Sequence, residues 1–283
     1  MKNIILHLRL PFSLFLLPIY LFALSQIAII DSVRAWWVFF ILHLLVFPSS
    51  NAYNSYHDKD EGSIGLLENP PPVSRSLLIT ANIMDVVAII LGFWFVGQLF
   101  TLYLLSYILV SRAYSSPLVR LKKYPVVSWL VVCVFQGGLT YLAVYGSIIQ
   151  NTSYVTYPTL LPALICTSNL LAIYPLTQVY QHTEDAARGD LTMSRLLGIR
   201  GTFVNAFVWL GLSGVGYWFV FADKTQFVVL GLLLFPVVAF LGVWATQVWK
   251  DERQANFRMT MWLNILASLC LNIFFSILFL LNH

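Results

Sequence analysis

Charged side chains are scarce in this sequence. Asp, Glu, Lys and Arg make up 10% of its 283 residues, whereas apolar residues make up 59%. A soluble globular domain carries about 25% charged residues, so the composition excludes an ordinary soluble domain. It predicts an all-α, polytopic membrane protein instead.

Cysteine is also sparse. Cys133, Cys166 and Cys270 each lie inside an apolar run and share no metal-binding spacing, which argues against a disulfide framework or a thiolate metal site. The net charge of +4 does not require a nucleic-acid partner, and we expect none. We expect the basic residues to contact the head groups of membrane lipids or a phosphate-bearing substrate.

Long apolar runs dominate the chain. Nine of them can be drawn, each near the roughly 20 residues that cross a bilayer as a helix. We therefore predict one membrane-embedded domain over residues 1–283, with nine transmembrane helices. The runs are residues 10–31, 35–50, 76–97, 99–115, 125–148, 156–178, 202–222, 226–248 and 261–281.

The basic residues predict the orientation. With nine spans and the N-terminus inside, all but two of the 16 Lys and Arg residues fall on the inner side, and the exceptions are Arg34 and Lys224. Cytoplasmic segments of membrane proteins carry such an excess of basic residues. We expect an integral protein of the cell's inner or plasma membrane, with its active-site loops in the cytoplasm.

Two acidic segments follow helices two and six on the predicted inner side. Residues 54–62 read N-S-Y-H-D-K-D-E-G, and residues 181–190 read Q-H-T-E-D-A-A-R-G-D. Carboxylates at the end of a membrane helix are costly to desolvate, so they indicate a functional site by default. We call these stretches the first and the second acidic segment.

Spacing within the segments predicts a shared metal site. Asn54 and Asp58 are four residues apart and Glu61 follows three residues later, so on a continuing helix all three share one face. Gln181 and Asp185 repeat the four-residue spacing. Mg²⁺ prefers hard oxygen ligands and binds one or two carboxylates together with water and substrate phosphates. Two such faces would hold metal ions that neutralise a diphosphate, with Arg and Lys side chains on its remaining oxygens.

Three further polar side chains have open roles. Asp85 lies in the third apolar run, and it is either a carboxylate paired between helices or part of a cavity wall. His57 and His182 adjoin the proposed ligands. Each is either a hydrogen-bonding neighbour or a proton acceptor.

The acidic segments also define a coarse internal repeat. The two halves are about residues 10–115 and 125–248, and each contains one acidic segment followed by a basic stretch. Transporters often contain comparable repeats. The repeat by itself therefore does not choose a function.

The acidic segments resemble the aspartate-rich motifs of the UbiA superfamily of intramembrane prenyltransferases, roughly N-D-x-x-D-x-x-x-D and D-x-x-x-D. Asn54 and Asp58 match the first motif, with Ser55 and Gly62 in place of two Asp residues. Asp60 or Glu61 would then replace the missing acid. The chain is similar to a divergent member of that superfamily.

The second motif and its surroundings extend the resemblance. Asp185 matches, Gln181 stands where Asp is usual, and residues 189–198 resemble the following G-x-x-T and L-G pattern. Tyr114, Arg120 and Lys122 resemble the basic loop that binds diphosphate in the family, and we add Arg188 to this group. The resemblance implies nine helices around a central cavity.

The implied function is Mg²⁺-dependent transfer of an isoprenyl group from a prenyl diphosphate to a lipophilic, aromatic or quinone-precursor acceptor. Asp58 and Asp185 would be the catalytic residues. Alternatives left open are an intramembrane terpene cyclase of the same fold, a transporter and a non-catalytic homologue. The acceptor, the prenyl chain length and the oligomeric state stay open. The implied metal ligands are Asn54, Asp58, Glu61, Gln181 and Asp185.

Overall fold

The computed structural model describes residues 2–150 and 153–283. In these residues the protein is all-α, as predicted, and the only extended pairing is an isolated antiparallel bridge between Ile64 and Leu67. Within residues 2–150 and 153–283, nine long helices follow the nine apolar runs. Their bounds are α1 Lys2–Ser25, α2 Ser32–Asp58, α3 Arg75–Val96, α4 Gln98–Ser115, α5 Pro125–Ile149, α6 Tyr157–Ala187, α7 Met193–Val220, α8 Lys224–Lys250 and α9 Phe257–Asn282.

Eight of these helices in the described residues are long and apolar enough to cross a membrane, and the chain is an integral membrane protein. The remaining helix is α4, which has 18 residues. Polar side chains such as Gln98 and Arg112 lower its mean hydropathy. The predicted number of nine spans is therefore approximate, although the all-α prediction is confirmed.

Aromatic packing closes the middle of the bundle. Phe22 of α1 contacts Phe275 of α9, Tyr141 of α5 and Tyr217 of α7, with ring centroids 4.4, 5.4 and 5.8 Å apart. Because lipid tails are as apolar as these side chains, membrane helices associate through close packing rather than through the hydrophobic effect. A second apolar cluster, around Trp244, joins α6, α7, α8 and α9.

Several helices deviate from regular geometry along their length. Arg9 in α1 has a left-handed φ of 47°, and Gly198 kinks α7 with a φ of 71°, a conformation that glycine adopts without strain. π-helical turns, which occur frequently at functional sites, interrupt three helices. They span Ile41–Val46 in α2, Gly92–Val96 in α3 and Val134–Leu139 in α5.

The connection between α2 and α3 crosses one end of the bundle. α2 ends at Asp58, and Lys59 follows with a left-handed φ of 50°. The helical face that joins Asn54 and Asp58 therefore does not extend to Glu61. Further along this connection, the backbone N–H of Leu66 donates to Met261 Sδ of α9 at 3.3 Å. The internal repeat of residues 10–115 and 125–248 stays a prediction.

Candidate active site

A cavity of about 310 Å³ lies between the helices, at the end of the bundle where both acidic segments lie. Helices α1, α2, α4, α5, α6, α7 and α9 all contribute to its wall. Small-molecule sites have volumes of about 300–1,000 Å³, so the cavity is large enough for a ligand. One end is polar and the other is aromatic. The aromatic end includes Phe15, Phe22, Phe47, Phe135 and Phe275.

Both acidic segments line the polar end of the cavity. Asn54 and Asp58 lie at the end of α2, and Gln181 and Asp185 lie at the end of α6, and all four border the same space. The structure thus places these four predicted residues together, although more than a hundred residues separate the two segments. The cavity has hard oxygen donors from both acidic segments.

Asp60, and not Glu61, is the further acid of the first segment at this cavity. Asp60 lines the polar end, whereas Glu61 is exposed and does not. The left-handed turn at Lys59 redirects the chain after α2, so helical spacing no longer applies beyond Asp58. The predicted position of Glu61 among the metal ligands does not follow from this geometry.

Lys122 connects the first acidic segment with Asp190. Its ammonium group pairs with Asp58 Oδ1 and lies 3.2 Å from Asp190 Oδ2. The exposed fractions of these three side chains are 6%, 8% and 1%. A buried charge is strongly destabilising without a partner, so each of these groups depends on the others. Lys122 also lines the cavity, as expected for a diphosphate-binding residue.

Arg120 supports this arrangement from outside the cavity lining. Its Nε and one terminal nitrogen donate to the two carboxylate oxygens of Asp190 at 2.8 and 3.0 Å, a bidentate pair. Burial alone would raise the pKa of Asp190, but the hydrogen bond from Arg120 and the charge of Lys122 outweigh it and lower that pKa. The same hydrogen bond raises the pKa of Arg120. Arg120 positions Asp190 and, through it, Lys122.

Arg188 connects the second acidic segment with the first. Its guanidinium pairs with Asp60 and lies 3.4 Å from the carbonyl oxygen of Asp58. It also lies 3.5 Å from Asp185 Oδ1 and 3.8 Å from Glu184 Oε2. Burial lowers the pKa of Arg188, but the surrounding carboxylates, Asp60 first, outweigh this effect and raise it. A permanently charged group therefore lies between the two segments.

The end of α4 contributes neutral hydrogen-bonding groups. The hydroxyl oxygens of Tyr114 and Tyr174 are 2.6 Å apart, and both residues line the cavity. Ser115 donates a hydrogen bond to Asn54 Oδ1 at 2.6 Å. Tyr114, which the sequence assigned to diphosphate binding, therefore lies at the polar end with the acidic residues.

Arg9 is a cavity residue that the sequence analysis counted only as an inner-side basic residue. It lines the polar end and is 8% exposed. One terminal nitrogen donates to the carbonyl oxygen of Asn51 at 3.3 Å, and Nε has no partner among the described residues. Its position directly before an apolar run could have indicated that it lies on a helix. In the structure that run and Arg9 belong to one interrupted helix, Lys2–Ser25.

Asp85 takes the first of its two open roles. It pairs with Arg112 of α4 and accepts a hydrogen bond from Ser49 of α2, and the guanidinium lies 3.9 Å from the centroid of the Tyr53 ring. Asp85 is buried between helices and is not among the cavity-lining residues. It joins α2, α3 and α4 rather than forming a cavity wall.

The two histidines also lie outside the cavity lining. The ring of His57 packs against that of Tyr53, with centroids 4.4 Å apart. His182 Nε2 forms a hydrogen bond with Ser194 Oγ at 2.8 Å. Both positions are those of neighbours that pack and hydrogen-bond beside the acidic segments.

The donors at the polar end fit a hard divalent cation. Asp58 and Asp60 each use Oδ1 in their ion pair, which leaves Oδ2 for a metal. Gln181 donates through Nε2 to the carbonyl oxygen of Ser63 at 3.1 Å, which leaves its own carbonyl oxygen. The described residues contain no group of three or more His, Cys, Asp or Glu placed to hold a metal. Mg²⁺ binds one or two carboxylates and keeps water and phosphate ligands, and the free oxygens of Asp58, Asp60 and Gln181 are of this kind.

Sequence comparison assigns most of the chain to one group of proteins. The sequence model of the UbiA prenyltransferase family matches residues 14–266. A comparison with curated proteins gave no match.

Solved structures share the arrangement of helices. A UbiA homolog from Archaeoglobus fulgidus bound to DMAPP and Mg²⁺ superposes with a TM-score of 0.70 at 16% identity, covering 98% of this chain and 99% of that one. The same homolog bound to GPP and Mg²⁺ gives the same values. A digeranylgeranylglyceryl phosphate synthase superposes with a TM-score of 0.60 at 14% identity, covering 97% of each chain. Likeness at these identities establishes the fold.

Proposed function

The chain belongs to the UbiA prenyltransferase family, and on that premise we propose that it transfers an isoprenyl group from a prenyl diphosphate to a lipophilic acceptor within the membrane. The observation that carries this proposal is a single cavity with a charged polar end and an aromatic apolar end. A prenyl diphosphate has the same division, with a charged head and an apolar chain. The UbiA homolog bound to DMAPP or GPP with Mg²⁺ supports the same substrate class.

The diphosphate would bind at the polar end. Lys122, Arg188 and Arg9 line that end and carry permanent or well-stabilised positive charge, and Tyr114 adds a hydroxyl donor. Nε of Arg9 and Nε of Arg188 are buried and lack a partner among the described residues. These donors would surround the departing diphosphate and stabilise the charge that develops as the carbon–oxygen bond breaks.

Mg²⁺ would be held by Asp58, with the amide oxygens of Asn54 and Gln181 as neutral donors, while Asp60 and Asp185 pair with Arg188. When bound, the ion would supply positive charge to the leaving diphosphate. The contribution of the chain is to hold these carboxylates at one place. Lys122 holds Asp58 from the loop that follows α4, and Arg188 holds Asp60 and Asp185.

The apolar end would hold the isoprenyl chain, with Phe22, Phe275 and Tyr217 packed against it. The allylic cation would form at the boundary between the two ends, where the carbon–oxygen bond to diphosphate breaks. Exclusion of bulk water protects the cation from hydrolysis until the acceptor reacts. The acceptor would be an aromatic or quinone-precursor lipid that reaches the cavity from the membrane.

The orientation also belongs to this proposal. The excess of Lys and Arg on the side of the two acidic segments supports a cytoplasmic location for the polar end. Prenyl diphosphates, which are water-soluble at one end, would then reach the cavity from the cytoplasm.

The test is release of diphosphate by purified protein in lipid nanodiscs. Prenyl diphosphates from C10 upward are supplied with and without Mg²⁺, and with and without aromatic and quinone-precursor acceptors. Mg²⁺-dependent release that requires an acceptor and yields a prenylated lipid is the expected result. Release without an acceptor, giving a hydrocarbon or an alcohol, would indicate a cyclase and contradict the proposed transfer.

A further inference from the structure

We propose that Arg188 takes the place of a divalent ion between Asp60 and Asp185, so that the site binds one divalent ion for each prenyl diphosphate. This inference rests on the proposed function. Two of the three positions at which the chain departs from the aspartate-rich motifs, Gly62 and Gln181, share one consequence.

Gly62 stands where the first motif has an acid. Its backbone N–H donates to Glu184 Oε1 at 2.6 Å. A Cβ atom added at Gly62 would collide with the carboxylate of Glu184, so a longer side chain fits only if Glu184 moves. This position therefore joins the α2–α3 connection to the second acidic segment and supplies no metal ligand.

Gln181 stands where the second motif has an acid. Its side-chain amide donates to the carbonyl oxygen of Ser63, on the same α2–α3 connection. Gln181 carries no charge, and one end of its amide is already engaged. Gly62 and Gln181 thus hold the two acidic segments together, and neither adds negative charge for a cation.

Arg188 lies between two of the remaining acids, Asp60 and Asp185. The guanidinium of Arg188 contacts Asp60 from the first segment and Asp185 from the second. A divalent ion shared by these two carboxylates would lie against the guanidinium, and the two positive charges would repel each other at short distance in a low-dielectric site. Arg188 is 21% exposed and cannot be deprotonated in a protein, so it occupies this position as a permanent cation.

Arg188 also keeps a hydrogen-bond donor for the diphosphate. Arg188 Nε is buried and has no partner among the described residues, and Arg188 lines the cavity. A guanidinium presents its donors in a fixed fork that matches phosphate oxygens. Arg188 can therefore bridge the carboxylates and still donate to a diphosphate, as a metal ion would. The single Mg²⁺ is left to the carboxylate oxygen of Asp58 that Lys122 does not use.

The experiment counts bound metal directly. Purified protein in nanodiscs is titrated with Mn²⁺ in the presence of a geranyl thiolodiphosphate, which binds but reacts very slowly, and free and bound Mn²⁺ are separated by electron paramagnetic resonance. One tightly bound ion for each bound analogue is the expected result. Two ions would overturn the inference while leaving the proposed function intact. Absence of analogue binding at any Mn²⁺ concentration would overturn both.

Variants test the assignment to Arg188. Arg188→Gln should weaken analogue binding at saturating Mn²⁺ by about tenfold or more, because it removes charged hydrogen bonds. Arg188→Lys, which keeps the charge, should bind one ion and lose less affinity. Arg200→Gln is the matched control, since Arg200 pairs with Glu252 on the surface. Unchanged affinity in Arg188→Gln, with Arg200→Gln also unchanged, would overturn the role of Arg188.

Discussion

The buried ion pair between Asp85 and Arg112 offers a quantitative test of how the helices around the cavity are held. Their side chains are 9% and 17% exposed, so neither charge is hydrated by bulk water. Removal of one partner from a buried pair costs about 3–5 kcal/mol of folding free energy. Asp85→Asn should fall near the lower end of that range, because the carbonyl oxygen of the introduced amide would still accept the hydrogen bond from Ser49.

The partner substitution should be more destabilising. Arg112→Met leaves Asp85 as a buried, unpaired carboxylate, and it also removes the contact with the Tyr53 ring, 3.9 Å from the guanidinium, which adds roughly 0.5–2 kcal/mol. In the double variant no uncompensated charge remains. It should therefore be less destabilised than the sum of the single variants by at least about 2 kcal/mol, within the range of coupling energies between contacting residues.

The assay is reversible unfolding in mixed micelles by titration with SDS, followed by circular dichroism. The surface pair of Arg200 and Glu252, 52% and 49% exposed, is the matched control and should show a coupling energy below about 1 kcal/mol. Additive effects of Asp85→Asn and Arg112→Met, or single effects no larger than those of the surface pair, would refute the assignment of Asp85 as a helix-joining residue.

Three further predictions concern the site and its surroundings. Because the pKa of Asp190 is lowered, its stabilising contribution is complete above the ordinary Asp pKa of about 3.9 and is lost as pH falls through the lowered value. The difference in thermal stability between wild type and Asp190→Asn should therefore be constant from about pH 5 to 8 and shrink below about pH 4. A difference that grew on acidification would contradict this sign. Phe22→Ala should shift the preferred prenyl diphosphate to a longer chain, measured as relative kcat/KM over C10 to C20. Phe203, buried in the other apolar cluster, is the control, and Phe203→Ala should cause no such shift. An equal shift in both variants would show that Phe22 does not limit the length of the cavity. Gly62→Ala should increase protease cleavage within residues 59–74, because its Cβ displaces Glu184, while Gly231→Ala, where a Cβ meets open space, should leave cleavage unchanged; equal cleavage in the two variants would count against the Gly62–Glu184 contact.

The helices could be predicted from the sequence because each apolar run is long enough to satisfy its backbone hydrogen bonds in lipid only as a helix. α4 shows where that reasoning is less precise. Arg112 lowers the mean hydropathy of this helix, yet its charge is neutralised by Asp85 on α3. Pairing between helices that are neighbours only in the folded protein is not visible in a window of one sequence.

The site could be predicted in part. Spacing placed Asn54 with Asp58 correctly because both lie within α2, which continues to Asp58. Spacing did not predict the position of Glu61, because α2 ends at Asp58 and Lys59 adopts a left-handed backbone conformation. Helix α6 has a comparable break, since a short 3₁₀ turn at Val179–Gln181 precedes the last helical turns. Helical periodicity cannot locate such ends without the capping contacts of the tertiary structure.

Long-range contacts account for what the sequence left out. Arg9 reaches the cavity from α1, and Arg120 acts on Asp190 across 70 residues of sequence. A list of basic residues assigns all of these to the inner side of the membrane. Only the packing of α1 against α2, and of the loop after α4 against the second acidic segment, separates cavity-lining cations from positioning ones.

The central claim is that carboxylates of both acidic segments act together on a prenyl diphosphate, through a divalent cation and the guanidinium of Arg188. The most direct measurement is Mg²⁺-dependent diphosphate release by wild type, Asp58→Asn, Asp185→Asn and the control Asp223→Asn, whose carboxylate caps α8 outside the cavity. The account predicts a fall of at least about 100-fold in kcat/KM for each of the two cavity variants, with the control unchanged. Near wild-type release by either cavity variant, or release in wild type that does not depend on Mg²⁺, would contradict it.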